Sequence, residues 1–126
     1  MRRYLVDSNI LIYYLGGQNE AVTFIQSEID RCAVSIVSYY EVLNYPFESE
    51  EEEKKIRAFL SLFPVIPVDR EIAERALENR RKRRIKMADN FIAATAQLHG
   101  WSVVTRNGGD FREIVEVIDP FTERGV

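Results

Sequence analysis

The sequence predicts an α/β fold built around a mostly parallel β-sheet. Short apolar segments, several of them rich in β-branched residues, alternate with longer segments of helical periodicity. This alternation is expected for successive strand–helix–strand units. No internal repeat and no low-complexity linker interrupts the alternation. The chain has 126 residues, a normal length for one domain, so we expect a single domain over residues 1–126.

The first half of the chain contains two of the five predicted strands. Its predicted elements are a strand at residues 4–6, a helix that ends at residue 14, a helix at 19–30, a strand at 33–37 and a helix at 38–45. Ser38 is a suitable capping residue for the last of these helices, and Pro46 ends it.

The second half alternates in the same way. Its predicted elements are a helix at residues 50–63 with Ser49 as its cap, a strand at 65–68, a helix capped by Asp69, an alanine-rich helix at 88–99 and strands at 102–105 and 115–118. Pro67 has no N–H to donate within a sheet, so the third strand is expected at an edge. Gly100 is expected to end the alanine-rich helix.

Composition excludes several classes of site. Hydrophobic residues make up 46% and charged residues 29%, a balance typical of globular proteins. The chain has one cysteine, Cys32, and one histidine, His99. These counts exclude an internal disulfide, a structural zinc site made of Cys and His ligands, and a nuclease that uses two histidines as acid and base. No apolar run approaches the roughly 20 residues needed to cross a bilayer, and the N-terminus does not read as a signal peptide, so we expect a cytoplasmic protein without a membrane partner.

Four acidic residues lie where predicted strands meet predicted helices. Asp7 ends the first strand, Glu41 lies in the first turn predicted after the second strand, Asp89 opens the alanine-rich helix, and Asp110 lies in the loop after the fourth strand. Ligands bind at the carboxyl ends of the strands in open parallel sheets. We therefore expect the four carboxylates at this edge of the sheet.

Each acid also has a purely structural interpretation. Asp7 could be a helix cap, and Glu41 could form a capping box with Ser38. The helix dipole alone favours Asp89 near a helix N-terminus, and Asp110 follows an Asn-Gly-Gly turn. The structural interpretation weakens when the four acids are taken together with their neighbours.

The segments around the four acids resemble the PIN domain family, most closely the VapC-type toxins of toxin–antitoxin pairs. The matching segments are 4–12, 35–44, 88–96 and 104–111, which read YLVDSNILI, SIVSYYEVLN, ADNFIAATA and VTRNGGDF. They occur in the family's order and span nearly the whole chain. One departure is visible, because many members have proline directly before the third acid, where this chain has Ala88.

The resemblance implies a single PIN-like nuclease domain with a three-layer α/β/α sandwich and a five-stranded parallel sheet in the order 3-2-1-4-5. It places the family's acids at Asp7, Glu41, Asp89 and Asp110. It also implies an RNA substrate, a homodimer, and a VapB-type antitoxin whose C-terminal segment enters the active-site groove, often with an arginine near the acids.

Four converging carboxylates must hold protons or bind cations, and all-oxygen ligands favour Mg²⁺ or Mn²⁺. Our hypothesis is a metal-dependent endoribonuclease that cleaves RNA phosphodiesters with metal-activated water. Asp7 and Asp89 are the expected direct metal ligands, Glu41 would act through water, and Asp110 could hold a second ion. The residues expected to position these acids or their waters are Ser8, Asn9, Asn44, Thr105 and Asn107.

A basic segment precedes the third acid. Residues 80–86 read RRKRRIK in a chain whose net charge is −3. A local basic segment can contact phosphates whatever the net charge, and the residues expected to bind RNA are Arg81, Lys82, Arg83 and Lys86. The alternative is a solvated helix end in which cations offset the dipole.

Other functions remain open at this stage. A phosphatase of the haloacid-dehalogenase kind would use a strand-end aspartate as nucleophile with a second acid two residues on, but this chain has Asn9 there. Within the PIN family, the alternatives are an RNA-processing nuclease without an antitoxin and a non-catalytic scaffold that binds RNA or a protein partner.

Overall fold

The computed structural model describes residues 3–122, so the ends of the domain predicted over residues 1–126 lie outside the described part. The strands of this part are β1 (Tyr4–Val6), β2 (Cys32–Ser35), β3 (Val65–Ile66), β4 (Ser102–Val104) and β5 (Val117–Ile118). Its α-helices are α1 (Ser8–Leu15), α2 (Asn19–Glu28), α3 (Ile36–Leu43), α4 (Glu50–Leu60), α5 (Arg70–Lys82) and α6 (Met87–His99). Two short 3-10 helices lie at Ile29–Arg31 and Gly108–Asp110.

The five strands form one sheet in the order β3-β2-β1-β4-β5, and every neighbouring pair is parallel. The register places Val6 of β1 beside Val104 of β4, so the two central strands end side by side. β3 lies at an edge, as Pro67 predicted. Both the α/β class and the strand order expected from the resemblance are confirmed.

Helices cover both faces of the sheet. Tyr4 and Val6 pack with α1, α2 and α4 in one core cluster, whereas Leu5 packs with α6 in the other, because successive residues of a strand point to opposite faces. α5 lies outside α6, where Ile72 and Ala76 contact Ala94. We call the two sides of the sheet the α1 face and the α6 face.

The start of α3 corrects one prediction. Ser35 caps this helix, since its hydroxyl oxygen accepts a hydrogen bond from the N–H of Val37 at 3.1 Å. Ser38, predicted as the cap, is buried inside the helix, and its hydroxyl has no hydrogen-bond partner among the described residues. The β-branched residues Ile36 and Val37 suggested that the strand continued, but they form the first turn of the helix.

Most other helix boundaries agree with the sequence. Ser49 and Asp69 cap α4 and α5 through their side chains, and Gly100 ends α6 in the left-handed conformation, with φ 70°. β3, β4 and β5 are shorter than predicted, and α2 passes into a 3-10 turn. Within residues 3–122, no helix combines the length and the apolar character that a membrane crossing requires.

Candidate active site

Asp7 lies at the carboxyl end of the central strand β1. Its backbone N–H donates to the carbonyl oxygen of Val104 at 2.9 Å, which extends the pairing of the two central strands by one residue. Its Oδ1 accepts a hydrogen bond from the N–H of Ser8 at 2.8 Å, so the residue caps α1 as the structural interpretation expected. The side chain is nevertheless buried, with 6% of the residue exposed. Helix capping therefore accounts for the hydrogen bond to Oδ1, but it does not account for the burial of the charged side chain.

Thr105 is the centre of a polar network beside Asp7. Its hydroxyl donates to Oδ2 of Asp7 at 2.9 Å and accepts from Nδ2 of Asn9 at 3.0 Å and from the backbone N–H of Asn107 at 3.1 Å. Asn9 also reaches Oδ2 of Asp7 at 3.4 Å. The network joins the end of β4 to the first turn of α1 and fixes the Asp7 carboxylate.

Glu41 lies in the second turn of α3, because the cap of that helix is Ser35, three residues before the predicted cap Ser38. It is therefore too far along the helix to form a capping box with Ser38. Its Oε1 instead accepts a hydrogen bond from the hydroxyl of Ser8 at 3.0 Å. This contact links α3 to α1 across 33 residues of sequence and brings Glu41 to the side of Asp7.

The other two acids approach from the α6 face. Asp89 lies in the first turn of α6 and is partly buried. Asp110 ends the 3-10 helix after β4 and is exposed. The pKa of Asp89 is raised above its usual value, first by burial and then by the charges of Asp110 and Glu41 and a hydrogen bond with Asp110, while Lys86 opposes the shift. These interactions require the three carboxylates to lie near one another.

The pKa of Asp7 connects the two halves of the cluster. It is raised from the usual 3.8 to about 6, first by burial and then by the charges of Asp89 and Glu41. The hydrogen bonds from Thr105 and Ser8 act in the opposite direction. All four sequence-predicted acids therefore belong to one electrostatic cluster, in which Asp7 interacts with Glu41 and Asp89, and Asp89 with Asp110.

The cluster has the donor chemistry of a divalent-cation site without a compact ligand cage. Within residues 3–122, no three Asp, Glu, Cys or His side chains lie close enough together to enclose a metal ion. The raised pKa values of Asp7 and Asp89 nevertheless show that negative charge is costly here. Carboxylate oxygens are the ligands that Mg²⁺ and Mn²⁺ prefer. The residues present therefore fit such an ion by their chemistry.

The remaining predicted site residues fall into two groups. Ser8, Asn9, Thr105 and Asn107 all take part in the hydrogen bonds around Asp7 and Glu41. Asn44 does not, since it is the exposed C-cap residue of α3.

The basic segment approaches the cluster at Lys86, and its cations are not all free to bind. Arg81 and Lys82 are exposed in the last turn of α5, whereas Arg83 pairs with Glu113. Lys86 lies close enough to Asp89 to lower the pKa of that acid. Ile85, between the basic residues, is buried and attaches the segment to the protein.

Two features of the site had no counterpart in the sequence analysis. Arg106 follows Thr105 and lies over the rings of Tyr13 and Phe121; its position within a recognised segment was the only signal that could have indicated it. The second is a buried amide network behind Asp89, which joins α5 to α6 through Asn79, Asn90 and Gln97. The sequence signal that could have indicated this network is the presence of polar residues on the inner face of an amphipathic helix.

The sequence and the fold are both similar to those of known proteins. The PIN domain family profile matches residues 4–117. The curated protein "Ribonuclease VapC10" of Mycobacterium tuberculosis is 31% identical over 96% of this chain and 95% of its own length. The solved "Toxin-antitoxin complex from Klebsiella pneumoniae" contains a chain that is 35% identical, with a TM-score of 0.83 over 93% of this chain and 97% of that one. FitAcB from Neisseria gonorrhoeae, at 23% identity, 94% and 99% coverage and a TM-score of 0.81, shares the fold.

Proposed function

The chain belongs to the PIN domain family, and from this premise we propose that it is a metal-dependent endoribonuclease and the toxin of a VapBC-type pair. The ribonuclease activity is supported by a curated relative that is a ribonuclease and aligns over nearly its full length. The toxin role is supported by the 35% identical chain of a toxin–antitoxin complex. The active site is the four-acid cluster.

One observation carries the proposal most directly, which is the burial of Asp7 among other acids. The ionised Asp7 carboxylate is destabilised by burial and by the charges of Asp89 and Glu41, so its ionisation lowers the stability of the fold. Structural stability alone gives no reason to assemble such a cluster. Perturbed titratable groups gather at functional sites, and this cluster lies at the edge where open parallel sheets bind their ligands.

In the proposed site the four acids bind the cation, and neighbouring polar residues hold the acids in position. Asp7 and Asp89 would hold a divalent cation, with Glu41 and Asp110 completing the donor set. When bound, the cation supplies an activated water and offsets negative charge on the phosphodiester. Thr105 and Asn9 keep Oδ2 of Asp7 in place, and Ser8 keeps Glu41 in place. The chain thus fixes Asp7 and Glu41 before either cation or substrate arrives.

A long polyanion suits this surface. Asp110 and Asn107 are exposed at the rim of the cluster, so a strand can pass over the acids without entering an enclosed cavity. The cations Arg81, Lys82, Arg83 and Lys86 precede Asp89 in the sequence, and in this proposal they contact phosphates of the RNA. We treat these four residues as the RNA-binding set of the proposal.

A partner that covers the acids would regulate the activity. We propose a VapB-type antitoxin whose C-terminal segment lies over the cluster and presents a cationic side chain to it. A guanidinium there would relieve the repulsion among the acids that a metal ion otherwise relieves. The protein encoded by a neighbouring short reading frame should therefore copurify with the chain and block cleavage, and Asp110→Asn should weaken the binding of that protein.

We also propose that the chain forms a homodimer, as the family resemblance implies. Sedimentation equilibrium of the purified chain tests this point independently of catalysis. A mass equal to one chain across micromolar concentrations would refute it.

The principal test compares RNA cleavage by the wild-type chain and two matched variants. Asp7→Asn removes the central carboxylate, and Asp30→Asn removes the same charge from an exposed position in the 3-10 helix after α2. With Mg²⁺ or Mn²⁺, we expect cleavage by the wild type and by Asp30→Asn but not by Asp7→Asn, and none by any protein in excess EDTA. Sequencing the new RNA ends identifies the target. Cleavage by Asp7→Asn at the wild-type rate would refute the proposed site.

A further inference from the structure

An arginine at the carboxyl end of β4 is held over two aromatic rings. The guanidinium carbon of Arg106 lies 4.2 Å from the ring centroid of Phe121 and 5.2 Å from that of Tyr13. The two rings pack edge to face, with centroids 5.2 Å apart. Tyr13 belongs to α1 and Phe121 follows β5, so three segments of the chain meet at this side chain. Cation–π contacts of this kind hold a guanidinium in a defined place.

The arrangement leaves the polar edge of the guanidinium available. Aromatic rings contact the face of this planar group, whereas its five N–H donors point outward in the plane. Arg106 is exposed, and it forms no ion pair with a carboxylate of residues 3–122. Because the side chain is already oriented, it can bind an anion without losing much further conformational freedom.

The backbone of Arg106 lies directly beside the acid cluster. The backbone N–H of Arg106 donates to Oδ1 of Asn9 at 3.3 Å. The amide nitrogen of the same Asn9 contacts Oδ2 of Asp7 at 3.4 Å and Oγ1 of Thr105 at 3.0 Å. One asparagine therefore ties the backbone of Arg106 to the central carboxylate.

The rings under Arg106 and the helix that follows the basic segment belong to opposite faces of the sheet. Tyr13 and Phe121 pack against the core cluster of the α1 face. The segment that contains Lys86 leads into α6, which covers the other face. A strand that crosses the carboxyl edge of the sheet would meet one group of cations on each side of the four carboxylates.

Resting on the proposed RNA substrate, we propose that Arg106 binds a backbone phosphate of the RNA on the α1 side of the cluster, with Tyr13 and Phe121 fixing its orientation. Four carboxylates repel phosphates, so a strand needs cations on both sides to lie across them. A guanidinium binds phosphate through two parallel hydrogen bonds, which a mobile ammonium group does not reproduce. Arg106 is thus a substrate-binding residue in addition to the acids and the basic segment.

The test measures RNA binding without cleavage. The full chain is titrated against a short fluorescent single-stranded RNA in EDTA at several salt concentrations. Arg106→Gln is compared with Arg75→Gln, which removes the same charge from α5, where the side chain faces Glu78. We expect Arg106→Gln to weaken binding about tenfold and to reduce the salt slope of log K by about 0.7, the value for one phosphate contact to a single strand. Arg75→Gln should change neither quantity.

A second variant separates charge from geometry. Arg106→Lys keeps the charge and loses the planar fork, so we expect the wild-type salt slope with reduced affinity. It also maintains the test if glutamine disturbs the packing of Tyr13. The unfolding midpoint of each variant is measured in parallel, since a purely structural role would lower the midpoint and leave the salt slope unchanged.

The outcomes distinguish this inference from the proposed function. If the wild type and Arg106→Gln bind RNA with equal affinity and equal salt slope while the wild type cleaves RNA with Mg²⁺, the phosphate contact is wrong and the proposed function stands. If the wild type binds no RNA at any salt concentration and cleaves none, both are wrong. A reduced slope confined to the Arg106→Gln variant supports the contact.

Discussion

Ser8 contacts two of the four acids at once. Its hydroxyl donates to Oε1 of Glu41 at 3.0 Å, and its backbone N–H donates to Oδ1 of Asp7 at 2.8 Å. One residue at the start of α1 therefore sets the relative position of the end of β1 and the second turn of α3. No other contact in the described network joins these two carboxylates through a single residue.

The first prediction follows from this contact. Ser8→Ala should leave the fold intact, since the side chain is small and partly exposed, but should release Glu41 and lower cleavage about tenfold, the size of effect that loss of a residue orienting a metal ligand has elsewhere. Ser8→Thr keeps the hydroxyl and should restore most of the rate. The measurement is kcat and KM on a labelled RNA. A full rate in Ser8→Ala would mean that Glu41 does not need this partner.

Glu41 illustrates which parts of the site the sequence can predict. Its presence at the site follows from its motif and from its place after the second strand. Its partner does not follow, because the Ser38–Glu41 spacing fits a capping box equally well. The choice between Ser38 and another partner depends on where α3 begins. It begins at Ile36, but the β-branched residues Ile36 and Val37 favoured a strand there. The competing hydrogen bond comes from Ser8, which is distant in sequence.

The second prediction concerns Thr105. Thr105→Val removes the donor to Asp7 and the acceptor for Asn9 and Asn107, so Oδ2 of the buried Asp7 keeps only the 3.4 Å contact with Asn9. We expect the free energy of unfolding to fall by about 1–3 kcal/mol, measured by urea denaturation. The pKa of Asp7 should also rise, because the Thr105 hydrogen bond lowers it. Thr105→Ser should recover both properties. Equal stability of the valine and wild-type proteins would contradict the role of this hydroxyl.

The third prediction is a pH dependence of stability in the metal-free protein. Asp7 holds its proton more tightly in the folded state, with a pKa of about 6 against the usual 3.8. Between about pH 4 and pH 6 unfolding therefore releases a proton, and the free energy of unfolding falls as the pH rises. Above pH 6 the full cost is present, about 3 kcal/mol. The raised pKa of Asp89 acts in the same direction.

Asp7→Asn provides the control for this pH dependence. The substitution also changes the hydrogen bonding, because an amide nitrogen cannot accept the bonds that Oδ2 receives from Thr105 and Asn9. Its pH profile is clear, since the variant has no proton to release at this position. Urea unfolding from pH 4 to pH 8 should give a flatter curve than that of the wild type. Parallel curves would contradict the raised pKa.

The fold was more predictable than the site's contacts, for physical reasons. Pro67 predicts an edge strand because it lacks an N–H, and Gly100 predicts a helix end because it adopts positive φ readily; both properties are local. The stack of Arg106 on Tyr13 and Phe121 depends on the ends of α1, β4 and β5 meeting in space. No local pattern encodes that meeting, so the sequence alone could not predict it.

The fourth prediction concerns the support behind Asp89. Nδ2 of Asn79 donates to Asn90 at 3.1 Å and to Gln97 at 2.9 Å, which joins α5 to the helix that carries Asp89. Asn79→Ala leaves two acceptors without this donor and should lower the free energy of unfolding by about 1–3 kcal/mol. Asn44→Ala, at an exposed position, should change it little. Denaturant titration of both variants makes the comparison. A loss of equal size in the two would contradict a special role for the network.

The fifth prediction links cation binding to the same acids. A divalent cation that binds only the folded chain stabilises it, by about 2.7 kcal/mol at a hundredfold excess over Kd. We expect Mn²⁺ to raise the unfolding midpoint of the wild type and of Asp30→Asn, and to raise that of Asp89→Asn much less. The effect should be larger at pH 7.5 than at pH 5, because Asp7, with a pKa of about 6, holds a proton that competes with the cation in acid, and the raised pKa of Asp89 acts in the same direction. An equal response of Asp89→Asn and Asp30→Asn would place the cation elsewhere on the protein, since the two variants remove the same charge and differ only in whether that charge belongs to the cluster.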